Sequence, residues 1–367
     1  MKIQSLHIQN FTVFEDQKFD FCDGINVFIG ANATGKTHVL KAMYGLSQAK
    51  RDDTSNAKIP RDSNLLALFN AVFCPAERST ARLIRRSDAS ATENTAEKEG
   101  TEKTAEIKME TDFGLVNAGI DSAGFGWGSS IPDDTPAPLF FPPREMLSAY
   151  EGFAASWERR ELSFDKTYYD ICRHLEPLVL KKEKLTREAS DLISYLTDIL
   201  GGSVIEKGGR FYIKQPDGTL LEAHLLAEGH RKLAMLVRLI ANGEIEKDTV
   251  LLWDEPESGL NPVLTTKVAQ TIRQLAAAGV QVFVATHDYL LTSELSVLAE
   301  YKQKPDVPTR FFAFSRPSDD PATPVSVQSG DLLQDLSDNP ILKEFVAHYD
   351  REERLFAASQ RKEGTAR

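Results

Sequence analysis

Gly30-Ala31-Asn32-Ala33-Thr34-Gly35-Lys36-Thr37 sets two glycines, a lysine and a hydroxyl at the G-x-x-x-x-G-K-[ST] spacing. Those residue types suit a polyphosphate. Glycines let backbone N–H groups close around phosphate oxygens, and a helix that follows turns its positive end toward them. The Lys36 ammonium is expected on the β- and γ-phosphates of ATP, and the Thr37 hydroxyl on Mg²⁺. With His38, the stretch 30–38 is the expected nucleotide-binding loop. The context fits: an apolar strand runs into the loop and a segment with helical spacing leaves it.

A second constellation is Val250-Leu-Leu-Trp-Asp254-Glu255. Four apolar residues in a row read as a strand buried on both faces, which delivers Asp254 to the sheet edge beside the phosphate loop. Asp254 is expected to hold the water shell of Mg²⁺. Glu255 is expected to face the γ-phosphate as the base that orients water.

The elements that must position these groups are legible in outline. Residues 3–8, 11–21 and 24–29 read as strands, and 37–46 as a helix. From about 82 to 112, Ala, Thr, Glu and Lys dominate, which predicts a solvated hairpin or mobile insertion. Two helices are expected between about 166 and 200, and a short meander over 203–222. A helix over 228–241, a strand at 250–253, a helix over 264–277 and a strand at 280–285 make a β-α-β succession, hence a parallel sheet. Edge strands are expected at 311–314 and 325–327, and a helical tail from 332.

Composition narrows the function classes. The 367 residues are 41% hydrophobic and 26% charged, as in globular chains. The net charge of −11 repels phosphate backbones, so DNA contact would need a local basic patch. Three scattered cysteines give no disulfide framework, and no His/Cys cluster has metal spacing. No apolar run is long enough to span a membrane. The opening MKIQSLHIQNF alternates like a strand and has no secretion-signal core, so a cytoplasmic location and no membrane contact are expected.

Three further segments make the motif set specific. Glu255-Pro-Glu-Ser-Gly-Leu-Asn-Pro262 resembles the Walker B extension and D-loop of ABC-type ATPases. Ala285-Thr-His287-Asp288 resembles their switch-histidine loop. Leu226-Ala227-Glu228-Gly229 falls where their signature loop lies, with Ala227 and Glu228 in place of the usual serine and first glycine. Together with Leu6-x-Ile8-x-Asn10-Phe11 and the phosphate loop, they resemble the RecF-, SMC- and OLD-type branch, of the AAA_15/AAA_21 kind.

The resemblance implies an α/β P-loop NTPase of ABC-ATPase type, with a mixed central sheet, an antiparallel β subdomain and a helical lobe. Residues 1–50 and 221–367 would form the ATPase core and 51–220 an inserted β/helical lobe. It implies catalytic roles for Glu255 and for His287 as γ-phosphate sensor. Glu228 and Gly229 would cap the ATP of a second copy in a head-to-tail dimer or higher oligomer. Phe140-Phe-Pro-Pro-Arg-Glu145 resembles a Q-loop position, which would give Glu145 a Mg²⁺ contact; the alternative is a plain helix start after proline. Phe11 or Phe14 would stack on adenine or else sit in the core. Arg231 and Lys232 would reach a phosphate across the dimer or else line a solvated helix face.

Three functions compete on this basis. The reading favoured on the resemblance is the regulatory or sensor ATPase of a bacterial anti-phage defence system, acting with a separate effector or nuclease, since no nuclease constellation is legible here. The alternative is a RecF/SMC-like DNA-repair ATPase that clamps DNA on ATP binding. The third, a transporter's ATPase, is disfavoured by the altered signature and the lack of a coupling segment. An SMC protein would also carry long heptads between phosphate loop and signature, and the intervening residues have none.

Overall fold

Alternation shapes the first strand: Ile3, Leu6, Ile8 and Phe11 are buried while Gln4 and Asn10 face water. The computed structural model describes residues 1–48, 61–85, 104–121, 125–132, 134–318, 320 and 322–365. The first third holds β1 (Ile3–Phe11), β2 (Phe14–Asp20), β3 (Ile25–Gly30), α1 (Lys36–Gln48), α2 (Arg61–Phe73), β4 (Ala105–Thr111) and β5 (Gly114–Ile120). The middle holds β6 (Phe125–Ser129), β7 (Leu139–Phe141), α3 (Phe153–Glu158), α4 (Lys166–Leu175), α5 (Arg187–Leu200), β8 (Ser203–Lys207), β9 (Arg210–Lys214) and β10 (Leu220–Glu222). The remainder holds α6 (Glu228–Ala241), β11 (Val250–Asp254), α7 (Pro262–Ala277), β12 (Gln281–Thr286), α8 (Tyr289–Glu300), β13 (Thr309–Ser315), β14 (Ser326–Gly330) and α9 (Pro340–Thr365).

Among the described residues these strands form three sheets. The central one runs β14-β13-β3-β12-β11-β7, parallel except for the antiparallel edge strand β14. Its strands β3, β11 and β12 are buried along their whole length, as both faces of a parallel sheet are covered. Successive residues split between two cores. Ile25, Val27, Ile29, Leu251, Trp253, Val282 and Val284 point one way, among the helices α4 to α7. Phe28, Val250, Leu252, Phe283 and Ala285 point the other, toward the antiparallel sheet β2-β1-β4-β5-β6.

The second interface is aromatic. Phe19, Phe21, Phe28, Phe283, Phe312 and Phe314 pack with ring centroids 4.9 to 6.2 Å apart. Edge-to-face and offset rings fix the angle between two sheets more tightly than aliphatic contact would. The meander expected over 203–222 is the third sheet, β10-β9-β8. Among the described residues no helix is long and apolar enough to cross a membrane.

Two expectations change. The segment around 82–112 is no solvated excursion where it is described: β4 is zipped between β1 and β5, with Ala105, Ile107, Met109 and Thr111 buried. The Ala, Thr, Glu and Lys of the preceding stretch hid a half-buried strand, and residues 86–103 lie outside the described ones. β13 is interior, between β14 and β3, rather than an edge strand. The stretch 51–220 contributes to all three sheets, and its strand β7 closes one edge of the central one.

Phe19→Ala empties the middle of the aromatic layer and is expected to cost about 3–5 kcal/mol. Phe113→Ala, at a ring 49% exposed, is expected to change stability by less than about 0.5 kcal/mol. Urea midpoints of the two variants check this. Equal midpoints would contradict a stabilising core at that interface.

Candidate ATP and metal site

Parallel register brings the chemistry to one edge. Ile29 lies opposite Thr286, and Ala285 opposite Asp254, so the ends of β3, β12 and β11 finish level. Ligands of such sheets bind outside those carboxyl ends. Gly30 is needed where β3 ends, since a Cβ there would meet the Phe314 carbonyl oxygen at 2.6 Å. Gly35 adopts φ +92° and leaves room for Val13 and Phe14, which a Cβ would meet at 2.6 and 2.8 Å. Ala31, Asn32 and Ala33 are exposed, and Thr34 tethers the loop by donating to the Ala31 carbonyl at 2.8 Å.

Lys36 opens α1 and folds back over the loop, donating to the carbonyls of Gly30 (2.7 Å) and Ala31 (2.8 Å). Burial lowers its pKa, and the nearby carboxylates of Asp254, Glu255 and Glu257 oppose that shift. Thr37, one residue on, donates to both carboxylate oxygens of Asp254, at 3.0 and 2.9 Å. Asp254 is 2% exposed. Burial pushes its carboxyl up from the ordinary 3.8 to about 7, against the pull of the Thr37 hydrogen bond.

Glu255 turns the chain out of β11 with φ +48°, its N–H bonded to the Ala285 carbonyl at 2.8 Å. Its carbonyl accepts from the Lys232 ammonium at 2.9 Å. Its carboxylate reaches within 3.5 Å of Nδ1 of His287, and Glu257 comes equally close to the same nitrogen. Asp254, Glu255 and His287 therefore meet as the sequence predicted, at the level of Lys36 and Thr37.

Gly229 and Glu228 start α6, whose cap Ala227 makes no side-chain capping bond. A Cβ on Gly229 would meet Leu260 at 2.5 Å, and one on Gly259 would meet Glu228 at 2.8 Å. The signature position and the loop after Glu255 are thus packed backbone to side chain within one copy.

Several expected roles do not survive. Glu145 is no free metal ligand: Oε1 accepts from Arg231 Nε at 2.5 Å and from the Ser148 hydroxyl at 2.5 Å, and Oε2 from the Ser148 N–H at 3.1 Å. It does not start a helix either. Arg231 is thereby pinned, and also donates to the Leu226 carbonyl at 2.6 Å. Lys232 is 1% exposed rather than on a solvated face, and burial lowers its pKa to about 8. His38 lies beside the Phe73 ring, with centroids 5.9 Å apart, and burial holds its pKa down to about 4, so it is neutral. Phe11 and Phe14 are fully buried against Phe73 and against Phe19 and Phe314, which excludes both as base-stacking platforms.

Glu257 escaped the sequence reading although it lies inside the quoted Glu255–Pro262 motif, and Lys232 was read for a different role. Only the tertiary fold shows a buried lysine holding the Glu255 carbonyl and a buried carboxylate behind His287.

The donor set fits Mg²⁺ presented with a nucleotide. A hydroxyl and one carboxylate are hard oxygen donors, and Mg²⁺ typically takes one or two carboxylates plus phosphates and water. Among the described residues no cluster of three His, Cys, Asp or Glu can hold a metal alone.

Comparison with known proteins agrees with this geometry. Residues 1–123 match the family described as "AAA ATPase domain", and residues 119–293 the one described as "AAA domain, putative AbiEii toxin, Type IV TA system". The DNA replication and repair protein RecF of Francisella tularensis subsp. mediasiatica is 24% identical over 339 residues, covering 78% of this chain and 95% of that protein. These matches support an ABC/AAA-type ATPase of the RecF/SMC-like branch. A RecF of Macrococcus caseolyticus is 43% identical over 58 residues, 16% of either chain. The Smc head bound to the C-winged helix domain of ScpA superposes over 91% of this chain and 99% of its own, with TM-score 0.55 and 16% identity, a likeness of fold. The antiparallel sheet and the helical lobe flank the P-loop core as the resemblance implied.

The raised carboxyl gives a pH signature. Between about pH 4 and 7 the folded, nucleotide-free chain keeps a proton on Asp254 that the unfolded chain has released. That contribution to stability is full below pH 4 and is lost as pH rises toward 7. Asp254→Asn is expected to match wild type near pH 4 and to melt higher at pH 8, by no more than about 4 kcal/mol. Thermal melts at pH 4, 6 and 8 check this. Parallel curves would mean that the carboxylate is ionised throughout.

Proposed function

We propose that the chain binds ATP with Mg²⁺ on residues 30–37 and hydrolyses it when two copies close head to tail. The observation that carries this reading is the Thr37–Asp254 contact at 2.9 Å, with Glu255 and His287 at its side. On this reading Lys36 leaves the carbonyls of Gly30 and Ala31 for the β- and γ-phosphates. Asp254 and Thr37 would hold Mg²⁺, which when bound would neutralise charge on the phosphate oxygens. Glu255 orients the attacking water, and His287 contacts the γ-phosphate. Gly229 and the N-terminal turn of α6 present backbone N–H groups to the nucleotide of the second copy.

The cellular role we favour is a RecF-like ATPase whose nucleotide-driven closure engages DNA. Support comes from similarity that runs along nearly the whole of a RecF chain. An acidic protein does this through a local basic patch, so binding should weaken steeply with salt. A specific observation keeps the defence reading as the second: the family matched over 119–293 carries a toxin–antitoxin description. There the same closure would control a separate effector protein. ATP-dependent retention of duplex DNA by the purified chain supports the first. Co-purification of one protein partner from native lysate, without DNA, supports the second.

Glu255→Gln is expected to leave ATP affinity within about threefold of wild type while slowing turnover roughly 10²-fold or more. It should also accumulate an ATP-bound dimer, visible by mass measurement in solution. Lys36→Ala, folded by circular dichroism, should lose ATP binding. Wild-type turnover in Glu255→Gln would overturn the hydrolytic assignment.

A further inference from the structure

Glu257 is a buried carboxylate to which the hydrolytic reading gives no role. The side chain is 6% exposed and lies two residues past Glu255, where Ser258 N–H bonds back to the Glu255 carbonyl at 3.1 Å and the chain reverses. Oε1 accepts from the Thr286 hydroxyl at 2.7 Å and from the His287 N–H at 3.1 Å. Oε2 is equally buried and has no hydrogen-bond partner among the described residues. An ionisable group half-satisfied in the interior is normally selected away unless it has a task. A threonine or asparagine would tether the loop as well. What the carboxylate adds is charge.

That charge sits beside a histidine. Nδ1 of His287 lies 3.5 Å from Oε1 of Glu257 and 3.5 Å from Oε1 of Glu255. With Nδ1 turned to the two carboxylates, Nε2 is the ring nitrogen available to a phosphate. The other charged groups that face Glu257 are Lys36 from α1 and Lys232 from α6, and both ammonium groups are held short of full charge preference by burial. Burial likewise raises the Glu257 pKa, while the bonds from Thr286 and the His287 N–H favour its ionised form.

Resting on the hydrolytic reading above, we propose that Glu257 is the positioning residue of His287. Its carboxylate anchors the loop after β12 and holds the imidazole beside Glu255, so that the γ-phosphate contact and the water-orienting group are set by one buried anchor. Lys232, holding the Glu255 carbonyl from the other side, fixes the second half of the same turn.

The test uses Glu257→Gln, which keeps size and acceptor oxygen but removes the charge, alone and combined with His287→Ala. Glu257→Ala, checked for folding by circular dichroism, removes the anchor altogether. In Glu257→Gln, ATP affinity should stay within about twofold while kcat falls roughly tenfold or more. In the His287→Ala background the same change should cost less than about twofold, because the two residues act as a unit. In ¹⁵N-histidine spectra of the nucleotide-free protein, recorded at one fixed pH, the His287 ring resonances should shift in Glu257→Gln while those of the distant His7 stay in place. Unmoved His287 resonances, or an equal loss of kcat with and without His287, would overturn the proposal. Wild-type turnover in Glu255→Gln would instead sink the hydrolytic reading, and the nucleotide-free spectra would still decide whether Glu257 positions His287.

Discussion

The Thr37 hydroxyl reaches past one intervening strand to an aspartate that is 2% exposed, and most of the architecture serves that contact. Thr37 rides on the helix that leaves β3, and Asp254 ends β11, with β12 between them in the sheet. Holding the two within 3 Å requires three parallel strands to end level, which the register of β3, β12 and β11 provides. It also requires a loop that turns within a few residues, which Gly30 and Gly35 permit. The cost is a carboxylate stripped of water. Its pKa near 7 means that the folded chain holds the charge poorly on its own.

Around this contact the protein distributes charge in opposed pairs rather than neutralising it. Lys36 and Lys232, each largely buried, face Asp254, Glu255 and Glu257 from two different helices. Breaking such an arrangement at one member leaves uncompensated buried charge, so these residues must be interpreted together rather than singly. The backbone carries strain at the same place: Glu255, a non-glycine residue, sits at φ +48°. Strain of that kind persists where the surroundings over-determine it, here through the Lys232 ammonium, the Ala285 carbonyl and the turn that follows.

What the sequence discloses about the site is the part that is local in the chain. The phosphate loop, the Asp254-Glu255 strand end and His287 each follow an apolar strand, and a strand places its terminal residue without help from elsewhere. The β-α-β order then fixes their common edge. Residues whose roles depend on partners far along the chain were not legible. Glu145 reads as a Q-loop position until Arg231, 86 residues on, takes its carboxylate. Lys232 looks like one more charge on an amphipathic helix until the Glu255 carbonyl is seen above it. Phe11 and Phe14 are aromatic residues near a nucleotide loop, and only the sheet-on-sheet packing shows them to be core. β4 was missed for a different reason: its short alternation of Ala105, Ile107, Met109 and Thr111 with charged residues follows a stretch dominated by Ala, Thr, Glu and Lys, and its neighbours β1 and β5 supply the burial.

With a pKa near 7, the buried Asp254 carboxyl is about half protonated at neutral pH and would give up that proton to a cation delivered with nucleotide. The most direct measurement is the calorimetric enthalpy of Mg²⁺·ATP binding at pH 7, in two buffers that differ in ionisation enthalpy. With a pKa near 7, about half a proton per site should be released as the cation binds, so the apparent enthalpies should differ between buffers. The difference should vanish in Asp254→Asn. Identical enthalpies in both buffers for the wild-type protein would contradict the account.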